Sequence, residues 1–171
     1  MLNSYWLSVP FFIQMLCMAA DEFWFHRRRG LPRWERIGHP LDTLTVVLCL
    51  LWIAYVRPTR PTVLVFIALA AFSCIFVTKD EPIHWLHCTA GEQWIHAILF
   101  SLHPLMLVSA ALLWPAVAAG SPPVHLWPIR YSGLERPFLI CSCMLMIGFG
   151  IYQFSFWNLL WRSKKGSRIT Q

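Results

Sequence analysis

The chain carries five runs of mostly apolar residues, at 5–25, 40–56, 62–78, 90–114 and 137–161. A helix needs about 20 such residues to cross the hydrocarbon core of a bilayer. In lipid the backbone must satisfy its own polar groups, so runs of this length predict helices. The expected fold is an all-α, polytopic integral membrane bundle of about five transmembrane helices. Composition agrees. Only 13% of the residues are charged, against about 25% in an ordinary soluble domain, and the mean hydropathy is +0.54. The length suits a single membrane domain over 1–171. The first run lacks a basic leader and a small-residue cleavage site, and acids follow it directly. It therefore reads as a retained helix, not a signal peptide.

The basic residues set the expected orientation. One set of loops holds Arg27, Arg28, Arg29, Arg33, Arg36, Lys79, Arg162, Lys164, Lys165 and Arg168. The opposite set holds only Arg57, Arg60, Arg130 and Arg136. The richer side is expected to be cytoplasmic, which puts the N-terminus outside and the C-terminus in the cytoplasm of a multi-pass cell (inner or plasma) membrane protein. These charges sit at the ends of apolar spans, so nucleic acid is not an expected partner. The 57–61 loop is short and predicts a hairpin of the second and third helices. Trp6, Trp24, Trp52, Trp114 and Trp161 fall near helix ends, where an interfacial aromatic belt lies.

With that topology, the acids gather at one face. Asp21, Glu22, Glu35, Asp42, Asp80, Glu81 and Glu92 are inner, and only Glu135 is outer. His26, His39, His84, His87 and His96 are inner, His103 lies deeper, and His125 is outer. Glu22 and His26 are four apart, as are Glu92 and His96, so each pair shares a helix face. His39 and Asp42 are three apart. Asp80, Glu81, His84 and His87 recur at helical spacing in a short element. Four helices thus bring carboxylates and imidazoles to one depth.

Each residue has a structural explanation as well. Thr89 and Glu92 fit a capping box. His39-Pro40 followed by Asp42 fits a helix start, and so does Glu81-Pro82. Asp21 and Glu22 can pair with the 27–29 arginines, and Glu35 with Arg33 or Arg36. Caps explain no histidines, however, and ionisable groups at membrane depth default to function.

Mixed carboxylate and imidazole donors suit Fe, Mn or Zn. Soluble di-iron bundles project carboxylates and Glu-x-x-His pairs from four helices into one core. The expected ligands are Glu22, His26, His39, Asp42, Glu81, His84, His87, Glu92 and His96, around a divalent metal pair, most simply two Fe. Asp21 and Asp80 are expected as outer partners of the ligands, and His103 on a substrate or proton path. The expected activity is a metal-dependent oxidoreductase acting on a lipid or other apolar substrate at the cytoplasmic face. An electron-donor protein or a larger membrane complex is an expected partner. The fifth run carries no acid or histidine and is expected to pack peripherally or make subunit contacts. The inner face is similar in layout to integral-membrane fatty-acid hydroxylases and desaturases. Pro82-Ile83-His84-Trp85-Leu86-His87 resembles a fragment of their histidine boxes, while complete HxxxH and HxxHH boxes are absent.

Other classes use the same residue types. A zinc hydrolase needs three ligands and a water, but no HExxH motif occurs. A haem needs opposed axial histidines, and only His103 lies mid-membrane. A proton-handling transporter component uses acid and histidine chains, although here they do not cross the membrane. A non-catalytic subunit with a structural acid and histidine network is the remaining alternative. The six cysteines include no CxxC pair. Five lie in apolar runs as small hydrophobes, and Cys88 alone sits among possible ligands. The 27–29 arginines set topology, or hold a lipid head group or acidic substrate.

Overall fold

The computed structural model describes residues 2–118 and 129–161, the side chains of 2, 83 and 87 apart. The fold is all-α. Its only strands are β1 (Leu2–Asn3) and β2 (Ile129–Arg130), paired in parallel, among the described residues. Four helical stretches are long and apolar enough to cross a membrane: Arg33–Tyr55, Arg60–Leu86, Ala90–Val117 and Glu135–Leu160. The first apolar run is not among them. Helix α1 (Val9–Ala20) passes without a break into a π-helical segment, Asp21–His26, and then α2 (Arg27–Arg29). Gly30 stops the run at φ 76°, a left-handed conformation suited to glycine, and its N–H bonds the His26 carbonyl at 2.8 Å.

Helix α3 (Arg33–Tyr55) corrects one expectation. It starts at Arg33 and runs through Pro40, so the second span begins seven residues before the expected start at Pro40. Proline inside a helix leaves the carbonyl four residues back without its partner. Here Asn158 Nδ2 donates to that carbonyl, Arg36 O, at 3.1 Å. The substitute donor comes from far along the chain, which is why the sequence alone reads Pro40 as a start. Helix α4 (Arg60–Phe76) opens with a reciprocal Thr59/Thr62 cap and continues through a 3-10 turn, Val77–Asp80, into α5 (Glu81–His87). Helix α6 (Ala90–Val117) and helix α7 (Glu135–Ser155, extended by a π turn at Phe156–Leu160) complete the bundle.

Helix α3 packs on α4, α6 and α7, while α1 packs on α6. Cys49, Leu50 and Ile53 of α3 meet Met106, Ala110 and Leu113 of α6 in a fully buried apolar half. Leu64, Ile67, Phe72 and Ile75 of α4 face outward. Glu135 is structural. It accepts from Ser4 Oγ (2.8 Å) and from the Ser132 and Gly133 amides (2.6 and 2.9 Å), tying the N-terminal segment to the start of α7. The other half of the bundle is polar inside.

Candidate metal centre

The π-helical segment sets the geometry of the first helix's donors. In an α-helix, residues five apart point about 140° from each other. The wider π turn brings Asp21 and His26 to the same side, with Asp21 Oδ2 3.2 Å from His26 Nε2. Such π turns recur at functional sites. Glu22 also points inward and is fully buried. Its carboxylate accepts from Trp157 Nε1 (2.8 Å), Tyr152 Oη (3.1 Å) and Gln153 Nε2 (3.4 Å). It also accepts from His26 Nδ1 at 3.4 Å. A carboxylate can only accept, so in the tautomer that donates from Nδ1 to Glu22 the Nε2 lone pair faces the interior, beside Asp21 Oδ2. Metal-binding imidazoles are oriented in this way.

Around that lone pair the other donors gather. Glu92 Oε1 is 3.7 Å from His26 Nε2, and His96 Nε2 is 3.1 Å from Asp21 Oδ2. Asp21, His26, Glu92 and His96 are all buried, and each brings one ligand atom within 4.8 Å of the others. Ligands on one ion at about 2.0–2.2 Å lie roughly 3 to 4.4 Å apart, so small side-chain shifts close this set on a metal. A second group, His26, Glu35 and His39, and a third, His39, Asp42 and Asp80, meet the same limit. The three groups share His26 and His39, whose rings stack at 4.9 Å. A fourth group joins His84, Cys88 and His96, with the two imidazole centroids 4.1 Å apart.

The donors fit a bound cation chemically. Asp21 Oδ1, His26 Nε2, His39 Nε2, Asp80 Oδ1, both His84 ring nitrogens and His96 Nδ1 are buried without a hydrogen-bond partner among the described residues. Buried polar atoms left in this state cost free energy, and nearly all in folded proteins are paired. Charge points the same way. Asp21, Glu22, Glu35, Asp42, Asp80 and Glu92 face two cations, Arg29 and Lys79. With neutral imidazoles the difference is four negative charges, the charge offset by two divalent ions. Protonating four imidazoles would balance it too, but would stack like charges at 4.1 to 6.4 Å, which is costly at low dielectric.

The two cations brace the rim. Arg29 donates to Glu35 Oε2 (2.7 Å) and to Glu92 Oε1 (3.0 Å). Burial opposes its charge, yet the hydrogen bond to Glu35 and the field of both carboxylates outweigh it and raise its pKa. Lys79 bridges Asp42 (2.7 Å) and Asp80 (2.8 Å). Thr89 accepts from the Glu92 amide at 3.4 Å, so half of the expected capping box forms while the Glu92 carboxylate turns to the cluster. Burial, with Glu92 beside it, pushes the Cys88 thiol up to about 12 and keeps it protonated.

Of the residues expected as ligands, His26, His39, Asp42, His84, Glu92 and His96 fall in these groups. Glu22 instead holds His26. Glu81 has a side chain 55% exposed, 3.9 Å from His84 Nδ1, and joins no group among the described residues. The side chain of His87 lies outside the described residues. Asp21 and Asp80, expected as outer partners, stand inside the groups. Glu35 is not an exposed partner of Arg33 or Arg36. It is completely buried and bound to Arg29, because the turn at Gly30 folds Arg29 back over α3. Helix α7 is not peripheral, since Tyr152, Gln153 and Trp157 hold Glu22. Sequence reasoning passed over these three because neutral donors in an apolar run carry no charge signal. Their spacing, one helical face running into the π turn, was the available clue.

The cluster opens into a cavity of about 110 Å³ whose deeper wall is apolar, with Val46, Leu99, Phe100 and Met106. His103 lines it too and pairs with Ser73 Oγ at 2.9 Å, which in turn meets Thr45 Oγ1 at 2.7 Å. Compared with known proteins, the chain matches no family model, no curated protein and no solved structure.

Proposed function

We propose that this cluster holds two iron ions in a metal-dependent oxidoreductase of the cell membrane, which hydroxylates or desaturates a lipid or other apolar chain at the cytoplasmic face. The observation that carries the reading is the convergence of buried imidazole and carboxylate atoms that lack hydrogen-bond partners. Asp21, His26, Glu92 and His96 would hold one ion. His39, Asp42, Asp80 and Glu35 would hold the other. The mixed nitrogen and oxygen donors admit manganese and zinc as well as iron. Bound iron would supply the redox chemistry with dioxygen. Hydroxylation balances as C–H, dioxygen, two electrons and two protons giving C–OH and water. The electrons come from a donor protein or a partner subunit. The chain's own residues orient the ligands through Glu22, shield the charge through Arg29 and Lys79, and line an apolar approach. The N-terminus is outside and the C-terminus cytoplasmic, by the excess of Lys and Arg on the inner loops.

Metal content by inductively coupled plasma mass spectrometry on detergent-purified protein tests the reading, beside a His26→Ala, His96→Ala double variant. Close to two irons per chain, lost in the variant, is the expected result. One zinc would favour a membrane hydrolase. No metal in a folded protein would sink the proposal. It would favour a structural or proton-handling acid and histidine network, the reading that Arg29 bridging Glu35 and Glu92 supports.

A further inference from the structure

A second cavity of about 480 Å³ lies between α1 and α7, lined by Phe11, Phe12, Met15, Phe23, Met144 and Leu145 among others. It opens on the outer surface of the bundle, where Phe12, Met15, Phe23, Met144 and Leu145 are exposed. Three residues, Met18, Met146 and Phe149, line both this groove and the cavity at the metal cluster. They form the thin wall between a lipid-facing surface and the buried donors. Two are methionines, whose unbranched side chains repack readily.

Resting on the oxidoreductase reading above, we propose that the substrate is a long-chain carboxylate whose tail lies in this groove and whose head group meets Arg27. The volume is the first argument. At about 480 Å³ the groove has room for a long hydrocarbon chain. The lining is the second. Its one hydroxyl, Ser142, already donates to the Phe138 carbonyl at 2.9 Å, which leaves a hydrocarbon surface. Charge is the third. Arg27 stands one turn beyond Phe23 at the inner end of the groove, its guanidinium 4.8 Å from the Phe23 ring. It is exposed, lies over the Phe156 ring as well at 5.0 Å, donates to Tyr152 Oη at 3.1 Å and forms no ion pair among the described residues. A guanidinium fork matches a carboxylate. One groove and one arginine suit a single-chain acid. A chain anchored there runs outward along α1 past Met18, which presents its internal carbons, not its terminal methyl, to the metal cavity.

Gly148 gives a clean block. It lines the groove, and a Cβ there meets nothing within 4 Å, so a side chain can start from this position without a clash at its base. The test uses full-length protein in detergent and a palmitic acid carrying a mid-chain diazirine. Labelled peptides are mapped by mass spectrometry, and metal content is read on the same samples. Saturable labelling on 15–23 and 141–149 is expected, displaced by palmitate and lost in Gly148→Trp and in Ser142→Trp, with metal content unchanged. Arg27→Ala should weaken competition by palmitate about tenfold or more, the loss of one charge-assisted pair, and leave competition by hexadecanol unchanged. Labelling spread over the outer faces of α4 and α6, or undiminished by both blocking variants, would overturn the groove assignment. Displacement by phosphatidic acid but not palmitate would overturn the single-chain acid. Two irons without saturable labelling would sink this inference alone, whereas saturable labelling without metal would sink the oxidoreductase reading and keep the lipid site.

Discussion

Two carboxylates carry most of the site's local logic, and neither acts as its sequence neighbours imply. Glu22 was legible as a buried, functional acid because Phe23, Trp24 and Phe25 follow it before the charged turn. Its partners were not, since they lie about 130 residues away on α7. Replacing Glu22 by Ala removes the carboxylate that faces His26 Nδ1 and leaves Trp157 Nε1 without its partner. Metal affinity should fall about 10- to 100-fold, the usual cost of losing an outer orienting group. A chelator-competition titration on purified protein measures this, and unchanged affinity would remove Glu22 from the site. Arg29 is the second case. Its side chain is 18% exposed, while Glu35 and Glu92 are at 0% and 1%. Arg29→Met leaves two buried carboxylates without their cation and should cost about 3 kcal/mol or more of stability. Arg29→Lys should recover only part of this, because an ammonium cannot fork across both acids. Denaturant unfolding in detergent checks the order wild type, Lys, Met.

At the scale of elements, periodicity located the long helices but missed two local departures from α geometry. Asp21 was expected only as an outer partner or a pair of the 27–29 arginines, and the π turn brings it beside His26. Pro40 seemed to start a helix because its missing N–H is harmless there, and only Asn158 makes it tolerable inside one. Both departures depend on distant partners, which a periodic pattern does not encode. Glycines give a test at this scale. Gly38 lets α3 approach the turn after α4 so closely that an added Cβ would meet Asp80 Oδ2 and Lys79 Cε, each at 3.0 Å. Gly38→Ala should push Asp80 from the cluster and weaken binding of the second metal, although glycine ligates nothing. Gly148, with open space around it, is the control, since Gly148→Ala should raise stability by about 0.5–1 kcal/mol through helix propensity and leave metal content unchanged. Equal metal content in the two variants would mean that Asp80 is not held in place by this close approach.

At the scale of the whole molecule, the division into an apolar half and a polar half was legible from the sequence, because acids and histidines at one depth need no contact information to be counted. Their balance was not, because it depends on which basic residues turn inward. Of the many Lys and Arg at that end, Arg29 and Lys79 reach the cluster, and four negative charges remain on neutral imidazoles. Repulsion among buried carboxylates should make the metal-free protein less stable than the loaded one. Anything that binds only the folded state stabilises it by RT ln(1 + [L]/Kd), about 2.7 kcal/mol at a hundredfold excess over Kd. Two ions acting on four helices should therefore raise the melting temperature by several degrees. The effect should be nearly absent in Asp21→Asn, Asp80→Asn protein, where two of the four charges are removed without a change of shape. Thermal unfolding in detergent, with chelator and then with Fe(II), Mn(II) or Zn(II), measures the difference. Stabilisation by each divalent ion, lost in the double variant, ties the fold's stability to a cation at the cluster. Equal melting temperatures with and without metal would mean that the imidazoles and the two basic residues balance the charge alone.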